Sequence, residues 1–331
     1  MLLAIESSCD ETAAAVCDLE GKIRSNVLRS QAIHAKYGGV IPELASRAHQ
    51  QSIVTVVQHA LQQAGITKNE VKAIAVTQGP GLMGALLVGV HFAKGFALSK
   101  NIPLIAVNHI QAHVLAHLIE HPNIEYPFLC LLVSGGHTQI MWVKSPLEMK
   151  VVGQTLDDAA GEAFDKGAKM LGFTYPGGPL IDKYAQKGNS DFYPFPIANV
   201  PDFNYSFSGL KTALLYYLQK QNTDFVQLHL ADICASYQKA ITQALLDKFA
   251  LAIQKYGPKV ITLSGGVAAN SYIRTKFLEL GKKFNLEAYI PKFEYCTDNA
   301  AMIAIAGLHL WKAGKIADQS LVPFVMYPND S

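Results

Sequence analysis

The sequence predicts an α/β protein built twice on one plan: two halves, each a mixed sheet covered by helices. Three observations carry that expectation. The first 30 residues read as strand, turn, strand, turn, strand, and residues 128–156 repeat the plan. Sliding the chain by 126 residues sets Ser8 on Ser134 and Thr12 on Thr138. After each meander the pattern changes to alternating strand and helix segments, in the same order in both halves.

In chain order, "LLAIE" is an apolar run of strand length, "SSCDE" a turn, "TAAAVCD" a second strand, "LEGK" a turn and "IRSNVLRS" a third strand. A helical addition follows, ending in "ELASRAHQQSIVTVVQHALQQAG". "VKAIAVTQGPGLMGALLVGVHFAKGFAL" then reads as strand, glycine turn and helix, and "IPLIAV" leads into "NHIQAHVLAH". The second half runs "FLCLLV", "SGGH", "TQIMWV", "KSPLE", "MKVVGQTL", a helical block, and "KVITLSGGVAANSYIRTKFLELGKKF". "LEAYI" then passes through "PKFEYC" to a helix opening "TDNAAMIAIAGLHL". The expected halves are 1–122 and 123–331, with helical additions near 31–65 and 195–257 and a tail after about 310 packing back on the first half. This is the plan of the duplicated ribonuclease-H-like ATPases, the architecture of actin, Hsp70 and sugar kinases, with a central cleft.

Composition narrows the function classes. The 331 residues suffice for two domains, and half are hydrophobic. A net charge of +2 excludes a protein that grips nucleic acid through a strong basic field of its own. Cys9, Cys17, Cys130, Cys234 and Cys296 are odd in number, widely spaced and without a CxxC, as expected of reduced cytoplasmic thiols. "MLLAIESSCDET" lacks the basic start of a signal peptide, and the longest apolar run, near "LCLLVS", is strand-sized, so no membrane association is expected.

The chemistry-bearing residues cluster at predicted strand ends, where this architecture places ligands. His109 and His113 stand four apart at a helix entrance, one turn from each other on one face. Asp298 stands at the matching entrance in the other half. Together they make a 2-His-1-carboxylate set, suited to Fe(II) or Zn(II), that is expected to bridge the halves. His117 is one turn further on and reads as structural or surface. "SGGH" and "SGGVAAN" each put two glycines at a strand end, where bare backbone N–H groups can approach phosphate oxygens. In "GEAFDKGAKMLGFTYPGGP", Asp165 is a candidate for a hydroxyl, Gly178 offers close backbone approach in a turn, and Asp182 follows as a second hydroxyl candidate. Asp10 and Glu11 lie on the first hairpin turn, where an acid of such ATPases handles Mg2+ or water.

The chain resembles the tRNA N6-adenosine threonylcarbamoyltransferase family, formerly described as O-sialoglycoprotein endopeptidases. The motifs that carry the resemblance include "IESSCDET", "HAKYGGVIPELASRAH", "GPGLMGALLVG", "NHIQAH", "LLVSGGHTQ", "DDAAGEAFDKGAKMLG", "YPGGP", "YSFSGLKTA", "SGGVAAN" and "CTDNAAMIA". The resemblance implies transfer of threonylcarbamoyl from threonylcarbamoyl-adenylate to N6 of adenosine 37 in tRNAs reading ANN codons, with AMP released. It implies one divalent metal on His109, His113 and Asp298, with iron ahead of zinc and Mg2+ only alongside a bound nucleotide. The implied substrate positions are Leu132, Val133, Ser134, Gly135, Gly136, Asp165, Gly178 and Asn270, with Asp182 less uniform. Leu132 stands where archaeal members carry a tyrosine ligand, which implies the bacterial form. Expected partners are tRNA, the adenylate, a shorter inactive paralogue of the same architecture and a small ATPase, with a separate synthase making the adenylate.

Three other readings compete. A metalloprotease would want a glutamate after the first metal histidine, and Ile110 is there. A sugar kinase or chaperone ATPase needs no histidine pair. A scaffold would not need the complete metal and nucleotide sets. The stripe Ile53, Val56, Val57, Ala60 and Leu61 is read partly as sheet cover and partly as a face for a partner helix.

Overall fold

The computed structural model describes residues 1–31, 34 and 37–325. The positions 32, 33, 35 and 36, at the start of the expected first helical addition, lie outside the described residues. The chain forms two compact units, Met1–Asn123 with Asp298–Ser331, and Ile124–Thr297.

The first unit opens with β1 (Leu2–Glu6), β2 (Glu11–Cys17) and β3 (Ile23–Ser30), followed by α1 (Pro42–Gln63), β4 (Ala73–Gly79), α2 (Met83–Lys100), β5 (Leu104–Asn108) and α3 (His109–Leu115). The sheet order is β3-β2-β1-β4-β5. β1 pairs antiparallel with β2 and parallel with β4. β1 is buried along its whole length, which is why "LLAIE" shows no alternation: a central strand covered on both faces is apolar on both. On α1, Ile53, Val56, Val57, Ala60 and Leu61 pack with Leu3, Ile5 and Val16 of the sheet. The stripe is therefore core, not a partner face. Each of the Ile, Val and Leu side chains contributes roughly 1.5–3 kcal/mol by burial, and that is available only once.

The second unit comprises β6 (Phe128–Val133), β7 (Thr138–Ser145), β8 (Glu148–Gln154), α4 (Ala160–Met170), α5 (Gly178–Ala185), α6 (Ser208–Gln219), α7 (Thr223–Leu228), α8 (Leu230–Tyr256), β9 (Val260–Ser264), α9 (Ser271–Phe284), β10 (Glu287–Tyr289) and α10 (Phe293–Cys296). Its sheet order, β10-β9-β6-β7-β8, is that of the first unit. The duplication holds at the level of register. Leu2 pairs with Cys17 and Ala73, and Phe128, 126 residues later, pairs with Val143 and Val260. One face of this sheet, with Leu129, Leu131 and Ile140, packs on Tyr237, Ile241 and Phe249 of α8.

The last helix, α11 (Ala300–Lys312), departs from the expected division. It belongs to the first unit, where it packs on β1, β2 and β4. The chain thus returns at Asp298, earlier than the expected point near 310. The physical reason is close fit: a Cβ on Gly307 would lie 2.5 Å from that of Ala75 on β4. Beyond α11, the Gln78 amide donates to the Val322 carbonyl at 2.8 Å, and Phe324 N–H donates to the Gln78 carbonyl.

Candidate functional site

Two groups of residues answer to the chemistry expected from the sequence, one in each unit. In the first unit, Asn108 ends β5 and caps α3, its side chain accepting from Gln111 N–H at 3.0 Å. The cap fixes the first turn of α3 and thereby His109 and His113, whose rings meet edge-on with centroids 4.7 Å apart. Asp298 immediately precedes Asn299, which caps α11 by accepting from Met302 N–H. Nε2 of His113 and Nε2 of His109 lie 3.0 and 3.5 Å from the same oxygen, Asp298 Oδ1. The ligand atoms of the three residues all fall within 4.8 Å of one another. All three come from the first unit, which corrects the expectation that the set bridges the halves.

This donor set fits a metal ion. Two imidazole nitrogens aimed at one carboxylate oxygen repel it unless a proton or a cation lies between them. The other nitrogen of His113, Nδ1, is buried without a hydrogen-bond partner among the described residues. If Nδ1 carries the proton, Nε2 is a free lone pair facing Asp298, which is the arrangement a cation needs. His109 Nδ1 faces Glu6 Oε2 at 3.1 Å, with Ser8 Oγ 3.2 Å away. Burial alone would lower the His109 imidazole, but the charges of Glu6 and Asp298 and the Glu6 hydrogen bond raise it to about 9. Burial pushes Glu6 the other way, up, and His109 outweighs that and holds it below the ordinary carboxylate value. The two directions agree on an ion pair between Glu6 and His109 in the metal-free protein. His117 is buried, and desolvation followed by the nearby His121 lowers it to about 3.

Asp10 lies in the turn after β1, while Glu11 is already the first residue of β2, paired with Ser30, and not a turn residue as expected. The turn is held from α1. His49 is buried, its Nε2–H donating to the Cys9 carbonyl at 2.9 Å and its Nδ1 accepting from Thr12 Oγ1 at 2.7 Å. Burial keeps this ring below its ordinary value, so it is neutral with a single tautomer. Burial, then the charges of Asp298 and Asp10, push Glu11 up to about 9.

In the second unit, Leu132 and Val133 end β6 with their side chains fully buried, so only their backbone can face a ligand. The turn Ser134–His137 is closed by Ser134 N–H donating to the His137 carbonyl at 2.8 Å. Its glycines divide from others nearby. A Cβ on Gly161 would sit 2.5 Å from the Ser134 carbonyl oxygen, and one on Gly265, at φ +89°, 2.4 Å from that of Val133. Those two are required by the chain itself. A Cβ on Gly135 or Gly136 would meet nothing within 4 Å, so neither is required by packing.

Asp165 projects from α4, and its Oδ1 accepts from Gly177 and Gly178 N–H at 2.8 and 3.1 Å. Burial raises its carboxyl, and the two N–H groups offset part of that. Gly178 starts α5 instead of lying in a turn. Asp182 on α5 accepts from the Ser271 N–H and hydroxyl at the start of α9. Asn270 caps α9 by accepting from Ile273 N–H, and its amide donates to Gln238 Oε1 at 2.7 Å. The side chains of Asp182 and Asn270 thus hold their own chain, whereas Gly135, Gly136 and the second oxygen of Asp165 face open space or carry no such duty among the described residues. Sequence reasoning missed Glu6, Thr77 and His49. The available signal for Glu6 was a charge closing an otherwise apolar run.

Among the described residues no helix is long and apolar enough to cross a membrane. A family model described as tRNA N6-adenosine threonylcarbamoyltransferase (TsaD) matches residues 22–305. The chain is 54% identical over 325 residues to the tRNA N6-adenosine threonylcarbamoyltransferase of Cytophaga hutchinsonii, spanning 97% of this chain and 94% of that one. It is 54% identical over 326 residues to the protein of the same name from Christiangramia forsetii, spanning 97% and 96%. Among solved structures it is similar to T. kodakarensis HypF, with a TM-score of 0.65 and 14% identity over 97% of this chain and 49% of that chain. It is also similar to component A of Acidaminococcus fermentans (R)-2-hydroxyglutaryl-CoA dehydratase, with a TM-score of 0.57 and 13% identity over 94% and 98%. The two structures support the duplicated ribonuclease-H-like fold.

Proposed function

The chain belongs to the tRNA N6-adenosine threonylcarbamoyltransferase family, and from that premise we propose that it transfers threonylcarbamoyl from threonylcarbamoyl-adenylate to N6 of adenosine 37 in tRNAs reading ANN codons. The observation that carries the reading is the family match together with the convergence of His109, His113 and Asp298.

His109, His113 and Asp298 would hold one divalent ion, Fe(II) ahead of Zn(II), as a set of two imidazoles and one carboxylate suits. When bound, the ion supplies Lewis acidity toward the threonylcarbamoyl carbonyl. Backbone N–H groups of Gly135 and Gly136, in the turn that Ser134 N–H closes, and of Gly266 and Val267 receive the adenylate phosphate, and the second oxygen of Asp165 receives a ribose hydroxyl. Leu132, Val133, Asp182 and Asn270 shape these loops. The exocyclic amine of adenine adds to the carbamoyl carbon, the bond to the phosphate oxygen breaks, and AMP leaves with its charge held by N–H donors. Asp10 receives the proton that the amine releases, next to Glu11, which at about 9 already carries its own proton near pH 7. An anticodon-loop base can be unstacked for this reaction at small cost, being single-stranded. The competing protease reading has no support from the site: Ile110 follows His109 and is buried.

Transfer is tested by incubating the chain with the inactive paralogue, the small ATPase, the synthase, unmodified tRNA, threonine, bicarbonate and ATP, followed by nucleoside mass analysis. Formation of the modified adenosine supports the reading. Its absence, with every component shown active in a reference reaction, refutes it.

A further inference from the structure

We propose that Glu6 is a positioning residue of the metal centre, fixing His109 through Nδ1–H so that Nε2 faces the ion. The inference rests on the metal reading of His109, His113 and Asp298.

Glu6 is fully buried at the end of the central strand β1. An ionised carboxylate in such a place is costly unless both its oxygens are hydrogen-bonded. Here Oε1 accepts from Ser8 N–H at 2.5 Å, and Oε2 accepts from Thr77 Oγ1 at 2.6 Å while facing His109 Nδ1 at 3.1 Å. The carboxylate is itself anchored, by β4 on one side and by the turn that leads to Asp10 on the other. A carboxylate held in this way accepts the Nδ1–H of the ring. That leaves the lone pair on Nε2, the nitrogen that approaches Asp298.

The duplication shows what the fold itself asks for at this place. Leu132 occupies the position of Glu6 in the second unit, in the same register, and its side chain is also fully buried. Ser264, beside Leu132 on β9, occupies the position of Thr77. A ribonuclease-H-like strand end is therefore built equally well around an apolar residue. The carboxylate occurs in the unit that carries the histidine pair. Glu6 and Asp298 also bring two negative charges to the site, which balance a divalent cation among neutral imidazoles.

The test measures metal affinity on the purified, metal-stripped full chain by Zn(II) titration against a competing chelator. The proteins are wild type, Glu6→Gln, Glu6→Leu, Thr77→Val and His113→Ala. Glu6→Gln is expected to bind Zn(II) about 10- to 100-fold more weakly, and Thr77→Val more weakly by a smaller factor in the same direction. Long-range proton–nitrogen NMR of the Zn(II)-loaded proteins is expected to show His109 with Nδ1 protonated and Nε2 on the metal in wild type. Glu6→Gln is expected to lose that single tautomer. Should Glu6→Gln fail to fold, Glu6→Leu, which copies the other unit, and Thr77→Val carry the same readouts. Affinity within twofold of wild type and an unchanged His109 tautomer in the folded Glu6 variants, with His113→Ala unable to bind, would overturn the role of Glu6 and leave the metal site standing. Equal Zn(II) binding by wild type and His113→Ala would instead remove the metal reading, and this inference with it.

Discussion

At the scale of single residues, type and spacing told which side chains carry chemistry better than they told what each one touches. The pair His109 and His113 was legible because helical geometry alone puts them on one face. Glu6 was not, since a strand-end charge is ambiguous until its burial and its 3.1 Å approach to His109 are known. Asp165 shows the same limit: its Oδ1 holds Gly177 and Gly178, a duty no spacing reveals. Asp165→Asn keeps a carbonyl acceptor for those N–H groups but loses the charged acceptor for a hydroxyl. We expect it to fold normally and to bind a stable adenylate analogue more weakly by about 1.5–3 kcal/mol, or one to two orders of magnitude. Calorimetry checks this, and unaltered affinity would remove Asp165 from the nucleoside site. His117 gives a pH prediction. Its folded value of about 3 lies below the ordinary 6.5, so the unfolded chain binds the extra proton. The stability it contributes is full above pH 6.5 and is lost as pH falls toward 3, by at most about 1.4 kcal/mol per pH unit. Urea unfolding of metal-free protein at pH 7 and pH 5 should show a shallower loss in His117→Gln than in wild type. Equal slopes would mean that His117 is not buried neutral.

At the scale of elements, both meanders and their glycine turns could be read because strand length, turn residues and the 126-residue echo agree with one another. What could not be read was the destination of α11. All residues from Ala300 to Leu308 are buried, so the helix shows no polar stripe to say which sheet it covers. The structure gives it to the first unit, and Asp298 travels with it to His109 and His113. Nor does the sequence separate glycines that the chain requires from those it does not. Gly161→Ala forces a Cβ onto the Ser134 carbonyl and should cost about 1–3 kcal/mol. Gly135→Ala meets nothing. It should leave the melting temperature unchanged while weakening the adenylate analogue. Thermal unfolding and calorimetry on the two variants separate the cases. A destabilised Gly135→Ala with normal affinity would show that the turn is structural only.

At the scale of the whole molecule, a +2 chain has little general attraction for tRNA. That is one reason to expect help from the paralogue and the small ATPase. The stripe on α1 does not supply the contact, because it is core; polar substitution at Val56 or Ala60 would test folding and nothing else. The purified chain is expected to give negligible multiple turnover from preformed adenylate and tRNA. Sustained turnover by the chain alone would dispense with the partners. The central claim is that His109, His113 and Asp298 hold the ion on which transfer depends. It is tested most directly by measuring bound metal and modified adenosine together, in the reconstituted reaction, for wild type and His113→Ala. The account predicts that the variant folds, loses the metal and leaves the tRNA unmodified. Full conversion by His113→Ala with unchanged metal content would contradict it.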